Sequence, residues 1–281
     1  MDRLTTLEKS ALRETASPTP APAERHPLAP DERGLPAANT LATASGVDVA
    51  YTRTTTVQVD PARLRELRIF VSKKHDPVEQ SYKVLRTHVL QRMRANGWRT
   101  LAITSAGEGN GKTLTAINLG ISLAREVNQT VLLVDLDLRR PSLGRYFVPA
   151  GHPGLSDYLM GEAELSEILI HPNIERLVVL PGHKPFIHSS EVLSSPRMVQ
   201  LVHEIRSRYE DRITLFDMPP LLASDDVIAF LPYLDAVLLV VEEGKTTKEE
   251  VQHAQQLLGV EKIIGMVLNK SSSAGSTLTY Y

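Results

Sequence analysis

The sequence predicts a doubly wound α/β fold, in which helices flank a mostly parallel central sheet on both faces. Two observations predict it. Six short apolar segments alternate with amphipathic helical patterns, and each segment is apolar at successive positions, as strands buried on both faces require. The predicted strands are residues 101–104, 131–134, 177–180, 213–216, 236–241 and 263–268. Ligands of this fold class bind beyond the carboxyl ends of the strands, so we look for chemistry there.

The residues before this region predict no packed domain. They are rich in Ala, Thr, Glu and Arg and too poor in apolar side chains to offset the entropy of ordering. Six prolines crowd them, at Pro18, Pro20, Pro22, Pro27, Pro30 and Pro36. We therefore expect a disordered extension over residues 1–60, a folded domain over 61–270 and a flexible tail over 271–281. A short β-prone run covers 54–59, and Pro61 and Pro77 each stand where a helix is expected to begin.

Composition excludes several classes of function. The 31 Lys+Arg and 33 Asp+Glu residues of the 281-residue chain give a net charge of −2, which offers no basic surface for bulk nucleic-acid binding. The absence of cysteine excludes disulfides, Cys-ligated zinc and Cys-bound iron–sulfur clusters. No apolar run approaches the roughly 18 residues of a membrane span, and the first residues lack the apolar core of a secretory signal. These features suit a cytoplasmic protein.

A glycine-rich loop follows the first predicted strand and precedes a helix. Its sequence over 105–113 is Ser-Ala-Gly-Glu-Gly-Asn-Gly-Lys-Thr. Glycines let backbone amides approach phosphate oxygens closely, and the helix N-terminus adds partial positive charge. In such a loop, Lys112 reaches the β- and γ-phosphates and the Thr113 hydroxyl binds Mg²⁺. The predicted nucleotide-binding residues are Gly107, Glu108, Gly109, Asn110, Gly111, Lys112, Thr113 and Leu114. The alternative is a turn that merely connects strand and helix.

Two further predicted strands run directly into acidic residues. Asp135 and Asp137 follow the strand over 131–134, and Asp217 follows the strand over 213–216. The carboxyl ends of parallel strands meet at one edge of a sheet, so these carboxylates should lie beside the loop. Oxygen ligands of this kind suit Mg²⁺ bound to a triphosphate. A single Asp after a strand could be only a turn residue or helix cap.

Taken together, these motifs resemble those of a known family. Residues 106–113 look like a Walker A motif, Asp135-x-Asp137-x-Arg139 like a second Walker A′ motif, and Asp217-x-Pro219-Pro220 like a Walker B motif. This combination is similar to the bacterial tyrosine kinases of capsule and exopolysaccharide synthesis. The segments 154–157, 180–182 and 191–196 are similar too, so the resemblance covers roughly residues 77–270. It implies a P-loop fold that uses ATP and Mg²⁺.

The resemblance also implies roles for individual residues. By this resemblance, the catalytic residues are Lys112, Asp135, Asp137 and Asp217, and Asp135 is the base. Thr113, Asp137 and Asp217 become the residues around the metal.

Two further roles come from the resemblance alone. Asn269 ends the last predicted strand and becomes an adenine contact, although a simple turn is the alternative. Tyr280 and Tyr281 become the phosphate acceptors, modified in trans by a neighbouring subunit, although two terminal tyrosines could be incidental.

Assembly and partners are likewise implied by the resemblance. Members of the family form rings through a helix that carries Glu-x-x-Arg-x-x-Arg. In the matching stretch, Gln80 and Lys83 depart from this pattern and only Arg86 matches outright. We therefore expect a homo-oligomer, but whether it forms a ring is left undecided. The resemblance further implies a separate membrane-spanning chain-length regulator that recruits the protein to the inner face of the membrane, and a cognate tyrosine phosphatase.

Three functions stay open at this point. The first is an ATP-dependent tyrosine autokinase that regulates exopolysaccharide polymerisation and export. The second is a regulatory ATP-binding module with little kinase activity. The third is a partitioning-type ATPase, which is disfavoured because Gly107 stands where that class carries an additional lysine.

Overall fold

The computed structural model describes residues 54–71, 76–149, 151–209 and 211–272. The predicted acceptors Tyr280 and Tyr281 lie outside the described residues, as do residues 1–53 of the predicted extension.

Eight strands form one sheet, in the order β1-β4-β5-β3-β6-β2-β7-β8. They are β1 Thr55–Thr56, β2 Thr100–Ser105, β3 Thr130–Asp135, β4 Ile170–His171, β5 Leu177–Leu180, β6 Arg212–Asp217, β7 Ala236–Glu242 and β8 Ile263–Asn269. Neighbouring strands run parallel except β4 and β5, which are antiparallel. The six predicted strands are all present, each within one residue at either end. Strand β1 lies inside residues 1–60, so the sheet includes residues that we grouped with the extension.

The helices of the described part of the chain lie between these strands in sequence, with α1 and α2 between β1 and β2. They are α1 Pro61–Glu66, α2 Pro77–Asn96, α3 Lys112–Ala124, α4 Gly144–Phe147, α5 Leu155–Met160, α6 Leu165–Ile168, α7 Ser189–Leu193, α8 Pro196–Arg208, α9 Asp226–Phe230 and α10 Lys248–Leu258. Local sequence explains where α2 begins and ends. The Asp76 carboxylate accepts the Val78 N–H at 2.9 Å and Pro77 fills the first turn, while Gly97 ends the helix with a φ of 66°.

Successive residues of each central strand enter two different cores. In β2, Leu101 and Ile103 pack with α2 and α3 on one face, whereas Ala102 belongs to the core on the other face. That second core includes Leu201 of α8 and Ala254 of α10. Burial on both faces is why the strands are continuously apolar, and the predicted doubly wound fold is confirmed. No helix among the described residues has the length and apolar character needed to cross a membrane.

Candidate active site

Sheet order brings the three predicted motifs together. Strand β6 lies between β3 and β2, and Asp217 at its end pairs in register with Asp135 of β3 and with Ile103 of β2. The glycine-rich loop leaves β2 and leads into α3, so the phosphate loop and both acidic strand ends meet at one edge. The fold therefore explains why motifs more than a hundred residues apart in sequence form one site.

Lys112 lies at the centre of this site. Its Nζ donates to Asp137 Oδ2 at 2.8 Å and lies 3.5 Å from Asp217 Oδ1. Burial alone would lower the pKa of Lys112, but the charges of Asp217 and Asp137 raise it above its ordinary value. The ammonium therefore stays protonated and links the two acidic strand ends.

Thr113 completes this network on the helix side. Its hydroxyl donates to Asp217 Oδ2 at 2.6 Å and lies 3.4 Å from the hydroxyl of Ser142. No sequence motif identifies Ser142. It lies beyond the Asp135–Arg139 motif, and only the turn after β3 brings it back to the loop.

Asp135 is anchored by backbone N–H groups of the turn that follows β3. Its Oδ2 accepts the N–H groups of Ser142 and Leu143, both at 2.8 Å. Its Oδ1 is buried and has no hydrogen-bond partner among the described residues. Burial, and secondly the Asp217 carboxylate, raise the pKa of Asp135 to about 7. Asp135 is fully buried behind the site, whereas Asp137 lines the adjacent cavity.

This cavity has a volume of about 510 Å³ and opens beside the phosphate loop. Its wall includes six predicted nucleotide-binding residues, namely Glu108, Gly109, Gly111, Lys112, Thr113 and Leu114. The other two, Gly107 and Asn110, hydrogen-bond to each other within the loop. Asn110 is buried, and its Oδ1 accepts the Gly107 N–H at 2.9 Å. The structure thus brings the whole predicted loop together around one cavity.

Asn269 makes a different contact from the predicted one. Its Nδ2 donates to the Asn110 carbonyl at 2.8 Å, so this amide is engaged with the loop itself. Asn269 also lines a second, more apolar cavity of about 750 Å³ together with Gly111 and Leu114. The adenine contact stays a prediction, and the structure adds a role in holding the loop.

The acidic residues fit Mg²⁺ as neighbours of a nucleotide rather than as a closed cage. Among the described residues, no three His, Cys, Asp or Glu side chains are placed to hold a metal ion. Within the part of the chain that the structure describes, two buried carboxylate oxygens, Asp135 Oδ1 and Asp217 Oδ1, have no hydrogen-bond partner, and the Lys112 ammonium lies 3.5 Å from the second. Water on a hydrated ion would satisfy both. Mg²⁺ keeps several waters and takes other ligands from phosphates, which agrees with this arrangement.

A buried network behind Arg139 was not predicted. Arg139 Nε donates to Ser189 Oγ at 2.9 Å, and Ser189 Oγ donates to Asp226 Oδ1 at 2.8 Å. Burial raises the pKa of Asp226. Ser189 and Asp226 belong to α7 and α9, and neither carries a sequence motif that could have identified it.

A phosphate loop between β2 and α3, with carboxylates at the ends of β3 and β6, defines a P-loop ATPase. The family model described as the AAA domain matches residues 98–270, which is more than half of the chain.

Individual relatives show which kind of P-loop ATPase this chain resembles. The tyrosine-protein kinase YwqD of Bacillus subtilis (strain 168) is 31% identical over 205 residues, covering 72% of this chain and 85% of YwqD. The kinase domain of Escherichia coli tyrosine kinase ETK is 27% identical with a TM-score of 0.62, covering 82% of this chain and 94% of that domain. The succinoglycan biosynthesis transport protein ExoP of Rhizobium meliloti (strain 1021) is 31% identical over 210 residues, or 73% of this chain and 26% of ExoP. The chain belongs to the family of bacterial tyrosine-protein kinases, which confirms the predicted resemblance and the enzyme class.

Proposed function

We propose that the chain is an ATP-dependent tyrosine autokinase whose acceptors are Tyr280 and Tyr281 of a neighbouring subunit. One observation carries the proposal. The Lys112 ammonium joins the acidic ends of β3 and β6 beside a cavity walled by the phosphate loop. Positioning and charge neutralisation around a triphosphate are the main requirements of phosphoryl transfer, and this edge of the sheet supplies both.

In the proposed reaction, the acceptor tyrosine oxygen forms a bond to the γ-phosphorus of ATP. The bond from that phosphorus to the β,γ-bridging oxygen breaks, ADP leaves, and the hydroxyl proton passes to Asp135. A tyrosine hydroxyl with a pKa near 10 is a poor nucleophile at neutral pH, so a base is required. Because Asp135 lies behind the cavity wall, the proton would reach its carboxylate through one water. Lys112 and the loop amides hold the β- and γ-phosphates.

Thr113, Asp137 and Asp217 are the residues we assign to Mg²⁺. A bound Mg²⁺ would neutralise charge on the β- and γ-phosphates. The Thr113 hydroxyl, in the cavity wall, donates to the buried Asp217 Oδ2 at 2.6 Å, so the two oxygens are neighbours.

The proposed cellular role is regulation of exopolysaccharide polymerisation and export. The name of ExoP describes a transport protein of succinoglycan biosynthesis, and this chain matches only 26% of its length. We infer that a separate membrane-spanning chain-length regulator recruits this protein to the inner face of the membrane. A cognate tyrosine phosphatase would reverse the modification.

Mass spectrometry tests the autokinase directly. Purified full-length protein is incubated with Mg-ATP beside Lys112→Ala and a chain truncated before Tyr280. Phosphotyrosine in the tail of the intact protein, absent from Lys112→Ala, is the expected result. If the intact protein binds ATP but carries no phosphotyrosine even with the cytoplasmic segment of the regulator, autokinase activity is rejected.

A second candidate, a regulatory ATP-binding module, is favoured by the charges on α2. Arg86 pairs with Glu126 at 3.1 Å within the same chain, so it is already engaged in this structure. A protein that does not assemble through this helix would bind ATP without phosphorylating a neighbour. The same mass-spectrometric experiment separates the two.

A further inference from the structure

The phosphate loop is held from outside by the carboxyl ends of β7 and β8. Three successive loop carbonyls each accept a hydrogen bond from a side chain of this region. The bonds run from Lys245 Nζ to Glu108 O (2.8 Å), from Lys270 Nζ to Gly109 O (2.9 Å) and from Asn269 Nδ2 to Asn110 O (2.8 Å). We call these three donors, Lys245, Lys270 and Asn269, the loop clamp.

One carboxylate connects the parts of the loop clamp. Glu242 Oε1 lies 2.9 Å from Lys270 Nζ, while its Oε2 accepts from Asn110 Nδ2 at 3.1 Å and lies 3.5 Å from Lys245 Nζ. The Glu242 side chain is 14% exposed, whereas the two lysine side chains are 55% and 46% exposed. The hydrogen bond from Lys270 lowers the pKa of Glu242, which keeps the carboxylate charged at neutral pH. Glu242 therefore fixes both cations and the buried loop asparagine at once.

The loop clamp sets the direction of the loop amides. In a trans peptide the carbonyl and the following N–H point in opposite directions. Carbonyls of residues 108–110 that face β7 and β8 therefore turn the N–H groups of residues 109–111 the other way, where they can gather phosphate oxygens. The fit is tight, because a Cβ on Gly111 would lie 2.0 Å from Asn269 Nδ2, and Gly111 has a φ of 94°.

We propose that Glu242 is a positioning residue for nucleotide binding, which orients the phosphate-loop amides through Asn110, Lys245 and Lys270. This inference rests on the proposed binding of ATP at the loop. No sequence motif identifies Glu242, Lys245 or Lys270, which lie more than a hundred residues from the loop in sequence.

Isothermal titration of full-length protein with Mg-ADP tests the inference. Glu242→Gln keeps the size of the side chain but removes its charge. It should raise the Kd about tenfold, corresponding to loss of charge-assisted hydrogen bonds, with the far-ultraviolet circular dichroism unchanged. In the kinase assay the KM for ATP should rise while kcat stays near the wild-type value, which is a split that a merely structural defect would not produce.

Glu243→Gln is the matched control. The neighbouring carboxylate contacts Ser271 and Ser272 at the start of the tail, with Ser272 N–H at 2.7 Å. This variant should bind Mg-ADP as tightly as the wild type. If Glu242→Gln does not fold, Lys270→Met serves instead, with an expected rise in Kd of about threefold.

The outcomes separate the two proposals. Wild-type affinity in Glu242→Gln, or an equal loss in Glu243→Gln, overturns the positioning role alone. Absence of Mg-ADP binding by the wild type overturns the proposed function, and the positioning role with it. If Glu242 acts through Lys270, the Glu242→Gln/Lys270→Met double variant should lose less than the sum of the single losses, and full additivity contradicts that route.

Discussion

At the residue scale, two glycines control how closely the loops behind the site can pack. A Cβ on Gly154 would lie 1.9 Å from the Gly182 carbonyl oxygen, and a Cβ on Gly182 would lie 2.3 Å from Pro141 Cβ and 3.2 Å from Asp135 Oδ2. The backbone of Gly154 is extended, so space rather than conformation requires glycine there. These contacts pack Gly154 against Gly182, and Gly182 against Asp135, the predicted base.

Gly182→Ala should therefore disturb the site without changing any polar group. The added methyl must move Pro141 or the Asp135 carboxylate, so we expect a lower melting temperature and a loss of at least about tenfold in phosphorylation rate. Gly144→Ala is the control, because a Cβ there would meet Val148 at 3.4 Å and Pro181 at 3.8 Å, which are ordinary van der Waals distances. Equal rates for Gly182→Ala and the wild type would show that this packing does not position Asp135.

Asp157 gives the protein a pH-dependent contribution to stability. Its Oδ2 accepts the Gly154 N–H at 2.8 Å and contacts His183 Nδ1 at 2.7 Å, while Oδ1 lies 3.0 Å from Lys184 Nζ. Burial alone would raise the pKa of Asp157, but these partners hold it at about 2, below the ordinary value of 3.8. The ionised form is thus favoured in the folded state, so this stability is present above about pH 4 and lost as the pH falls towards 2.

Asp157→Asn should lower the free energy of unfolding by about 1–2 kcal/mol at pH 7, a value reduced for solvent screening at the partly exposed His183 and Lys184. Urea unfolding at pH 7, 4 and 3 measures it. The difference from the wild type should narrow between pH 4 and 3, and a difference that is constant over this range would contradict the assignment.

At the element scale, α2 is fastened to the far end of α3 by charge. Glu79 is 4% exposed and accepts from Arg125 Nη1 at 2.5 Å, and the same guanidinium donates to the carbonyls of Phe70 and Val71. Lys83 lies 3.6 Å from Glu79. In a buried pair, removal of one partner leaves the other charge uncompensated.

Glu79→Gln should accordingly lower the free energy of unfolding by about 3 kcal/mol. Ser81→Ala on the same helix is the control, since its exposed hydroxyl donates to the Pro77 carbonyl of its own helix. Denaturant unfolding gives the energy, and light scattering shows whether the oligomeric state changes as well. A variant that alters assembly but not stability would place Glu79 at a subunit interface instead.

Most of the features that the sequence predicts are those whose residue pattern lies within a single strand or helix. Strands such as β3 are recognisable because both faces are buried, and Lys112, Thr113 and the three aspartates are recognisable because each stands at the end of an apolar strand or the start of a helix. Strand β1 lies within the β-prone run predicted over 54–59, whereas β4 has two residues and is too short to show an alternating pattern. The Glu79–Arg125 pair, the Gly154–Gly182 approach and the loop clamp join distant segments, so only the folded arrangement of the sheet reveals them.

At the scale of the whole molecule, the site lies at the edge where both cores end. The loop that follows β2 is continuous with α3, whose Ile117 belongs to one core, while Phe216 beside Asp217 belongs to the other. A nucleotide bound as proposed, at Lys112 and the β6 end, would therefore contact elements of both cores. A ligand that binds only the folded state raises the stability of the whole cooperative unit.

Mg-ADP should consequently raise the melting temperature of the wild type. At 100 times its Kd the ligand adds about 2.7 kcal/mol, which corresponds to roughly 5–10 °C for a domain of this size. Lys112→Ala should show little or no ligand-dependent shift, whatever its own melting temperature, because the ammonium that reaches the phosphates is gone. Thermal unfolding with and without Mg-ADP measures both shifts. The same shift in Lys112→Ala would mean that the nucleotide binds elsewhere, since stabilisation by a ligand follows its affinity and not the stability of the free protein.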